Sequence, residues 1–238
     1  MKKPIYISPH NDNISTKRIN STMINLFYNY YTDKNDYRNS ELVYCLDKNI
    51  NNKHIDKIYI IGDVDELDIT GDNIQIIDHK KVPTFKFVFE QIKLNTEESD
   101  INIIMNTDCY IEEDDMYMLD KLKPENSWCL ARQDISSIDP FTYQRRISDC
   151  SQDCWIFHGH PNIENVDFQF GRAGCDNRLS YEFNACGLTP LNPSISFRVY
   201  HYHISDIRTT FGSGSGRERN RVHGNYKMLD PIKYNDIV

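Results

Sequence analysis

Short β-branched runs alternate with amphipathic stretches through the first half of the chain. Four runs have the length and composition of strands, at residues 5–8, 56–62, 73–78 and 101–106. Helical spacing of apolar positions predicts one helix over residues 40–50, with Ser40 as its N-cap, and a second that opens with Pro83. This β-α-β-β-α-β order predicts a mainly parallel sheet covered on both faces by helices.

The second half of the chain mixes the same two patterns. Strands are predicted at residues 127–134, 153–159 and 194–205, the last with strict alternation, and a helix over residues 174–187 is closed by Gly187. Residues 212–221 are Gly/Ser-rich and then basic, which predicts a solvated loop or linker. No repeat and no earlier domain boundary is visible, so we expect one α/β domain.

Polar residues directly follow the predicted strands, at the edge of the sheet where open α/β folds bind ligands. Asp108 follows the run at 101–106, and a carboxylate there is a hard oxygen ligand suited to Mg²⁺ or Mn²⁺. The alternative is an ordinary strand-end aspartate in an Asx-turn. The acids at residues 112–115 are expected to be the solvated start of a helix.

A His-x-His pair near the C-terminal end offers imidazoles for the same edge. His201 and His203 lie on one face of a strand, because side chains alternate, and they could supply one metal ligand and one phosphate contact. A structural or surface pair is the alternative. Arg208 is suited to a bidentate grip on a phosphate, or to an exposed ion pair.

Residues 171–183 form the most specific segment, in which glycines precede an acid at a helix start. Gly171 and Gly174 permit close backbone approach, and Asp176 lies in the first helical turn. A carboxylate there can accept a proton from a bound hydroxyl, or it can simply cap the helix. Asp153, at the start of a predicted strand, is the second candidate base, with a local hydrogen bond as the alternative.

Composition narrows the classes of partner. The 238 residues carry a net charge of −8, which argues against a general nucleic-acid or membrane-surface binder. No window approaches 18 consecutive apolar residues, and the N-terminus has no apolar core of a signal peptide. Seven cysteines without a CxxC pair are expected to be reduced thiols, so a cytoplasmic location is predicted, in a host cell if the gene is viral.

Seven segments occur in an order and spacing that are more specific together than any one is alone: YRNSELVYCLDKNINNKHIDKIYII, KVPTFKFVFEQI, INIIMNTDCYI, CLARQD, SQDCWIF, GRAGCDNRLSYE and NPSISFRVYHYHIS. In this arrangement the chain resembles small GT-A-type glycosyltransferases, a group that includes virus-encoded domains and bacterial relatives. The resemblance spans residues 5–208, which is most of the chain.

The resemblance implies a GT-A fold, with a Rossmann-like, mixed but mainly parallel sheet flanked by helices in one domain at residues 1–211. Residues 1–106 would bind the nucleotide, residues 107–211 would hold the acceptor and catalytic groups, and residues 212–238 would be a tail. The implied activity is a metal-dependent, inverting sugar transfer from a nucleotide-sugar donor, with UDP favoured, to a hydroxyl of a glycan or small-molecule acceptor.

The segment NTDCY resembles the Asp-x-Asp motif of these enzymes. Asp108 occupies the last acidic place, which carries the metal, and Asn106 departs from the first. His201 or His203 stands where a C-terminal histidine completes the Mn²⁺ or Mg²⁺ site, and His201 is the first choice.

Asp176 stands where inverting enzymes of this kind carry an acid near a Gly-rich turn, so it is the first choice as catalytic base, ahead of Asp153. Arg38 and Glu41 are expected to form a structural pair. Eight residues are expected to contact the donor: Ser8, Pro9, Asp63, Thr84, Asn106, Arg132, Arg172 and Arg208.

Two other functions remain open at this point. A nucleotidyltransferase that makes sugar nucleotides would share the sheet and the metal chemistry, but the place after the first strand, SPHNDNISTKR, lacks the glycines that usually hold a triphosphate. An inactive sugar- or nucleotide-binding module is the second alternative, favoured by Asn106 in the first place of the metal motif.

Overall fold

The computed structural model describes residues 5–7, 22–62, 64, 67–135, 145–205 and 221–236. Three α-helices lie in these ranges: α1 (Asp36–Ile50), α2 (Phe85–Asn95) and α3 (Cys175–Ala185). Two 3-10 helices span Glu113–Lys121 and Tyr234–Asp236. The described strands are β1 (Ile5–Ile7), β2 (Ile24–Tyr30), β3 (Lys57–Gly62), β4 (Leu67–Ile69), β5 (Ile74–Asp78), β6 (Ile101–Met105), β7 (Cys109–Ile111), β8 (Asn126–Ile135), β9 (Arg145–His158), β10 (Thr189–Leu191) and β11 (Val199–Tyr202).

Nine of these described strands form one mixed sheet, in the order β5-β3-β2-β6-β9-β8-β11-β7, with β10 also paired to β8. The β5-β3, β3-β2, β2-β6, β8-β11 and β8-β10 pairs are parallel, whereas β9 runs antiparallel to β6 and β8, and β7 antiparallel to β11. The predicted α/β class with a mainly parallel sheet is therefore confirmed. Strand β1 forms a separate parallel pair with β4.

The central strand β2 is absent from the strands predicted from sequence. Its sequence INLFYNY places Asn25 and Asn29 within the strand, and asparagine is depleted in strands. The structure accommodates Asn25 because its side chain is buried and donates to Asp100 at 3.2 Å. A tertiary partner thus offsets a poor local propensity.

Each face of the sheet carries its own apolar core. Leu26, Tyr28 and Tyr30 of β2 pack on the face that also holds Leu42 and Leu46 of α1, which confirms the helical face predicted there. Alternate positions point the other way, toward a second core that includes apolar residues of α2 and α3. All five residues of β6 are buried, because the sheet is covered on both sides as predicted.

Two helices begin where a side chain can cap them. Helix α1 starts at Asp36, one turn before the predicted Ser40, because Asn35 Oδ1 accepts from the backbone N–H groups of Tyr37 at 2.9 Å and Arg38 at 3.2 Å. The extra turn places Arg38 on the helix. Helix α2 is capped by Thr84, whose hydroxyl accepts from the Phe87 N–H at 3.2 Å.

The strand predicted over residues 194–205 and the solvated acids predicted at residues 112–115 both differ in detail from the structure. The strand predicted over 194–205 covers only β11, because the Pro193 carbonyl closes a turn by accepting from the Ser196 and Phe197 N–H groups. Among the acids at 112–115, Asp115 is buried and ion-paired with Arg198 at 2.6 Å.

The described part of the tail packs on the body of the domain. The Val222, Lys227 and Ile232 N–H groups donate to backbone carbonyls of residues 173, 177 and 192. Six cysteines are free thiols: Cys45, Cys109, Cys129, Cys154, Cys175 and Cys186. Within the described ranges, every helix is too short or too polar to cross a bilayer.

Candidate functional site

The strand register brings the predicted polar residues together at one edge of the sheet. Strand β11 runs parallel to β8 with His201 opposite Asp134, and antiparallel to β7 with His201 opposite Cys109. The turn between β6 and β7 therefore places Asp108 beside β11, where the Tyr202 N–H donates to the Asp108 carbonyl at 2.9 Å. Side chains that are distant in the chain meet at this point.

Asp108, His201 and His203, the Asp108 cluster, converge around one carboxylate. Asp108 Oδ2 lies 3.2 Å from His201 Nε2 and 4.0 Å from His203 Nδ1. One ligand atom from each residue lies within 4.8 Å of the others. His201 is buried, and its other ring nitrogen, Nδ1, is 2.6 Å from Asp134 Oδ1. A carboxylate on the far nitrogen is the usual support of a metal-binding histidine.

The charges of this cluster set its protonation. Burial alone would raise the pKa of Asp108, but His201 and Arg38 outweigh it and hold that pKa well below its usual range. Burial would lower the pKa of His201, yet Asp108 and Asp134 raise it. Burial and the nearby Arg38 lower the pKa of His203. An ionised Asp108 and a neutral His203 are the forms that bind a metal ion.

The donor set fits a divalent ion. Ligands that surround one ion at about 2.1 Å lie at most about 4.2 Å apart, so small side-chain movements from the observed 4.8 Å span would complete the set. One carboxylate oxygen with two imidazole nitrogens suits Mn²⁺ better than Mg²⁺, which prefers oxygen ligands and water. Between the two predicted ions, the donor set favours Mn²⁺.

Arg38 contributes to this site in a way that its sequence context does not reveal. It forms the expected pair with Glu41, at 3.0 Å, and it also reaches Asp108 Oδ2, at 2.5 Å. Glu41 in turn accepts from the Ser205 N–H at 2.6 Å. Because Arg38 is 3% exposed, its charge acts on Asp108 with little screening by water.

A second polar group surrounds Asp153. Asn106 Nδ2 donates to Asp153 Oδ1 at 2.5 Å, and the Asn106 N–H donates to the Asp153 carbonyl at 3.0 Å. The other carboxylate oxygen accepts from Ser151 Oγ at 3.0 Å and lies 3.4 Å from Arg132 NH1. Arg132 also donates to Asp134 at 3.0 Å, which links this group to the Asp108 cluster.

Asp176 lies in the first turn of α3, as predicted, and its carboxyl interacts with Ser151 and Asp153. Burial of the carboxyl, followed by repulsion from Asp153, raises the pKa of Asp176 to about 6. Asp176 Oδ1 also accepts from the Asn177 N–H at 2.9 Å, so it contributes to the helix cap. A carboxyl with this pKa can exchange a proton near neutral pH.

The remaining predicted site residues fall in two groups. Thr84 and Arg172 line a separate cavity on the side of α2 and α3, where Arg172 donates to Gln169 at 3.1 Å. Four predicted donor contacts lie outside the described residues: Ser8, Pro9, Asp63 and Arg208.

Sequence reasoning missed three residues of the site: Arg38 as a partner of Asp108, Asp134 as the support of His201, and Ser151 between two carboxylates. A signal existed for Asp134 alone, since it ends the strand predicted at residues 127–134, at the same edge of the sheet. The Arg38–Asp108 contact spans 70 positions and depends on how α1 packs.

Comparisons with known proteins add similarities of fold. No protein-family model matches the chain, and no curated protein matches it. Among solved structures, the 2-C-methyl-D-erythritol 4-phosphate cytidylyltransferase of Francisella tularensis has 13% identity and a TM-score of 0.47, over 72% of this chain and 89% of that one.

Two further structures are similar at the same level. GalNAc-T7, crystallised with UDP, GalNAc and Mn²⁺, has 8% identity and a TM-score of 0.48, over 76% of this chain and 43% of that one. A putative glucose-1-phosphate thymidylyltransferase from Bacillus anthracis, in complex with a sucrose, has 10% identity and a TM-score of 0.43, over 83% of this chain and 99% of that one. At these identities and scores the similarities carry no argument about the reaction.

Proposed function

We propose that the protein is a metal-dependent glycosyltransferase that moves a sugar from a nucleotide-sugar donor, with a UDP-sugar as first choice, to a hydroxyl of a glycan or small-molecule acceptor. One observation carries this proposal. A carboxylate–imidazole cluster suited to a divalent ion lies at the same sheet edge as Asp176, a carboxyl whose pKa is raised to about 6.

The first part of the site must neutralise the leaving nucleoside diphosphate, because negative charge develops on that group as the sugar departs. Asp108, His201 and His203 would hold Mn²⁺ or Mg²⁺, and the bound ion would supply charge neutralisation as a Lewis acid. Asp134 orients His201 for this task. Arg132, beside Asp134 and Asp153, adds positive potential.

The second part of the site must supply a base for the acceptor hydroxyl, because that hydroxyl must lose a proton to attack the anomeric carbon. Asp153 is already engaged by Asn106, Arg132 and Ser151, so its lone pairs are committed. Asp176, with its raised pKa, is therefore the better base, in the order predicted from sequence, and a base opposite the leaving group gives inversion.

The same feature favours glycosyl transfer over nucleotidyl transfer. A sugar phosphate, the acceptor of a nucleotidyltransferase, is already an anion at neutral pH and needs no base. The carboxylates of Asp153, which is buried, and of Asp176, which is partly buried, would repel it. A neutral hydroxyl suits them both.

The test uses Asp108→Asn with Asp114→Asn as matched control, since Asp114 is an exposed acid outside the site. Release of UDP from several UDP-sugars is measured with Mn²⁺, with Mg²⁺ and with EDTA. We expect Mn²⁺-dependent release that falls at least about 10²-fold in Asp108→Asn, because the variant weakens the hold on an ion worth several kcal/mol. Asp114→Asn should match the wild type.

Other results would assign another function. Pyrophosphate release from UTP with a sugar 1-phosphate, in place of UDP release, would identify a nucleotidyltransferase. UDP-sugar binding by calorimetry with no turnover, even with acceptors supplied, would identify a binding module.

A further inference from the structure

A cavity of about 540 Å³ opens between α2, α3 and the C-terminal segment. This volume lies in the range of small-molecule sites. Its lining is polar and basic and includes Asp167, Gln169, Arg172, Arg178, Arg221 and His223. None of its described lining residues belongs to the Asp108 cluster.

Among the described residues of this lining, Arg172, Arg178 and Arg221 face a single aspartate, Asp167, and Glu182 just outside it balances Arg178, so a net charge of +1 remains with His223 neutral. The chain as a whole carries −8. A basic concavity on an acidic protein concentrates anions, and guanidinium groups match the planar oxygens of carboxylate and phosphate. The charge distribution therefore points to a ligand with an anionic oxygen group.

The arginines have different roles. Arg178 pairs with Glu182 and donates to the Asn225 carbonyl at 3.3 Å, so it joins α3 to the C-terminal segment. Gly224, at φ +130°, makes this close approach possible, since a Cβ there would overlap the Arg178 guanidinium. Arg172 is held from the side by Gln169 Oε1, at 3.1 Å from its Nε.

We propose that this cavity is a binding site for a phosphate- or carboxylate-bearing ligand, with Arg172 and Arg221 as its main contacts, separate from the Asp108 cluster. The site does not require the transfer reaction proposed above. If that reaction holds, the cavity would receive the anionic group of an acceptor, because Arg172 lies just before the helix turn that carries Asp176.

The test measures binding of inorganic phosphate by calorimetry, in EDTA and without nucleotide, to the full chain and to Arg172→Gln and Arg221→Gln. We expect each variant to bind phosphate about 10-fold or more weakly, the effect of losing a hydrogen bond between charged groups. Lys123→Gln removes one exposed charge elsewhere and should change the affinity less than twofold. In parallel experiments D-glucuronate replaces phosphate, and glucose serves as the uncharged comparison. Tighter binding of phosphate would identify a phosphate-bearing ligand, and tighter binding of glucuronate would identify a carboxylate-bearing ligand.

Three results would overturn the proposal: equal loss in Lys123→Gln, no loss in either arginine variant, or no binding of phosphate or glucuronate by the wild type. A further arm adds saturating UDP with Mn²⁺. Persistent phosphate binding supports a separate site, and its loss assigns Arg172 to the donor diphosphate, as predicted from sequence. Because these measurements need no turnover, they can fail or succeed independently of the transferase proposal.

Discussion

Asp176 combines two properties at the residue scale: its carboxyl accepts from the Asn177 N–H in the first turn of α3, and the pKa of that carboxyl is raised to about 6, chiefly by burial. An acid with a folded-state pKa above its usual value near 3.8 favours folding most when it is protonated. Its stabilising effect is therefore present below about pH 4 and is lost as the pH rises through about 6. Near neutral pH the proposed role as a base requires the ionised carboxylate, whereas stability favours the protonated form.

Asp176→Asn should separate the two properties. The amide oxygen can still accept the Asn177 N–H, and the charge is removed, so we expect the variant to be more stable than the wild type at pH 8 by about 1–3 kcal/mol. The gap should close below pH 4. Transfer should fall about 10²–10⁴-fold if Asp176 is the base. Urea denaturation across pH and UDP-release assays check both; equal stability at all pH values would contradict the raised pKa.

Asn106→Asp tests why this chain departs from the Asp-x-Asp pattern. The change creates the Asp-x-Asp pattern, but it replaces an amide that donates to Asp153 at 2.5 Å with a second carboxylate. We expect a loss of about 1–3 kcal/mol in stability and a lower transfer rate. Asn162→Asp, at an exposed position, is the control. A faster enzyme would show that Asn106 only weakens metal binding.

At the element scale, α1 is tied to the site through one buried cation. Arg38 forms ion pairs with Glu41 within the helix and with Asp108 beyond it, so packing of α1 and charge balance of the site depend on each other. Removal of one partner from a buried ion pair leaves the other charge unpaired.

Arg38→Met should lower the free energy of unfolding by about 3–5 kcal/mol, because it removes the cation that Glu41 and Asp108 share. Lys48→Met, on an exposed face of the same helix, should change it by about 0.5 kcal/mol or less. In the double variant Arg38→Met/Asp108→Asn the loss of unfolding free energy should be smaller than the sum of the single losses, since Asp108→Asn removes one of the two carboxylates that Arg38 pairs with. Additive losses in chemical denaturation would show that the two residues do not interact.

At the scale of the whole molecule, the C-terminal segment belongs to the folded domain. Val222 is buried, and the Tyr234 ring lies 6.0 Å from the Trp128 ring, between centroids. A chain ending at residue 220 should therefore lose about 2–4 kcal/mol, the worth of one or two buried apolar side chains. Met228→Ala, at an exposed position, should cost little. An unchanged thermal midpoint on truncation would mean that the segment only rests on the surface.

Periodicity alone predicted most of the elements at this scale. Helices α1, α2 and α3 and strands such as β3, β5 and β6 follow the apolar spacing, because one face of each must be buried. Strand β2 was not predicted from periodicity, since Asn25 is typical of a turn. Its side chain is accommodated in the strand because it donates to Asp100.

The fold class and the sheet edge that carries the polar residues follow from the amino-acid pattern alone, and so do Asp108, His201, His203 and Asp176 as candidates. Spacing along one strand or helix carries this information, because side-chain direction follows from the backbone period. Which of these candidates contact one another depends on the three-dimensional packing. Strand register placed Asp134 against His201, helix packing brought Arg38 to Asp108, and Asn106 turned to Asp153. These contacts join distant parts of the chain, so no local pattern encodes them.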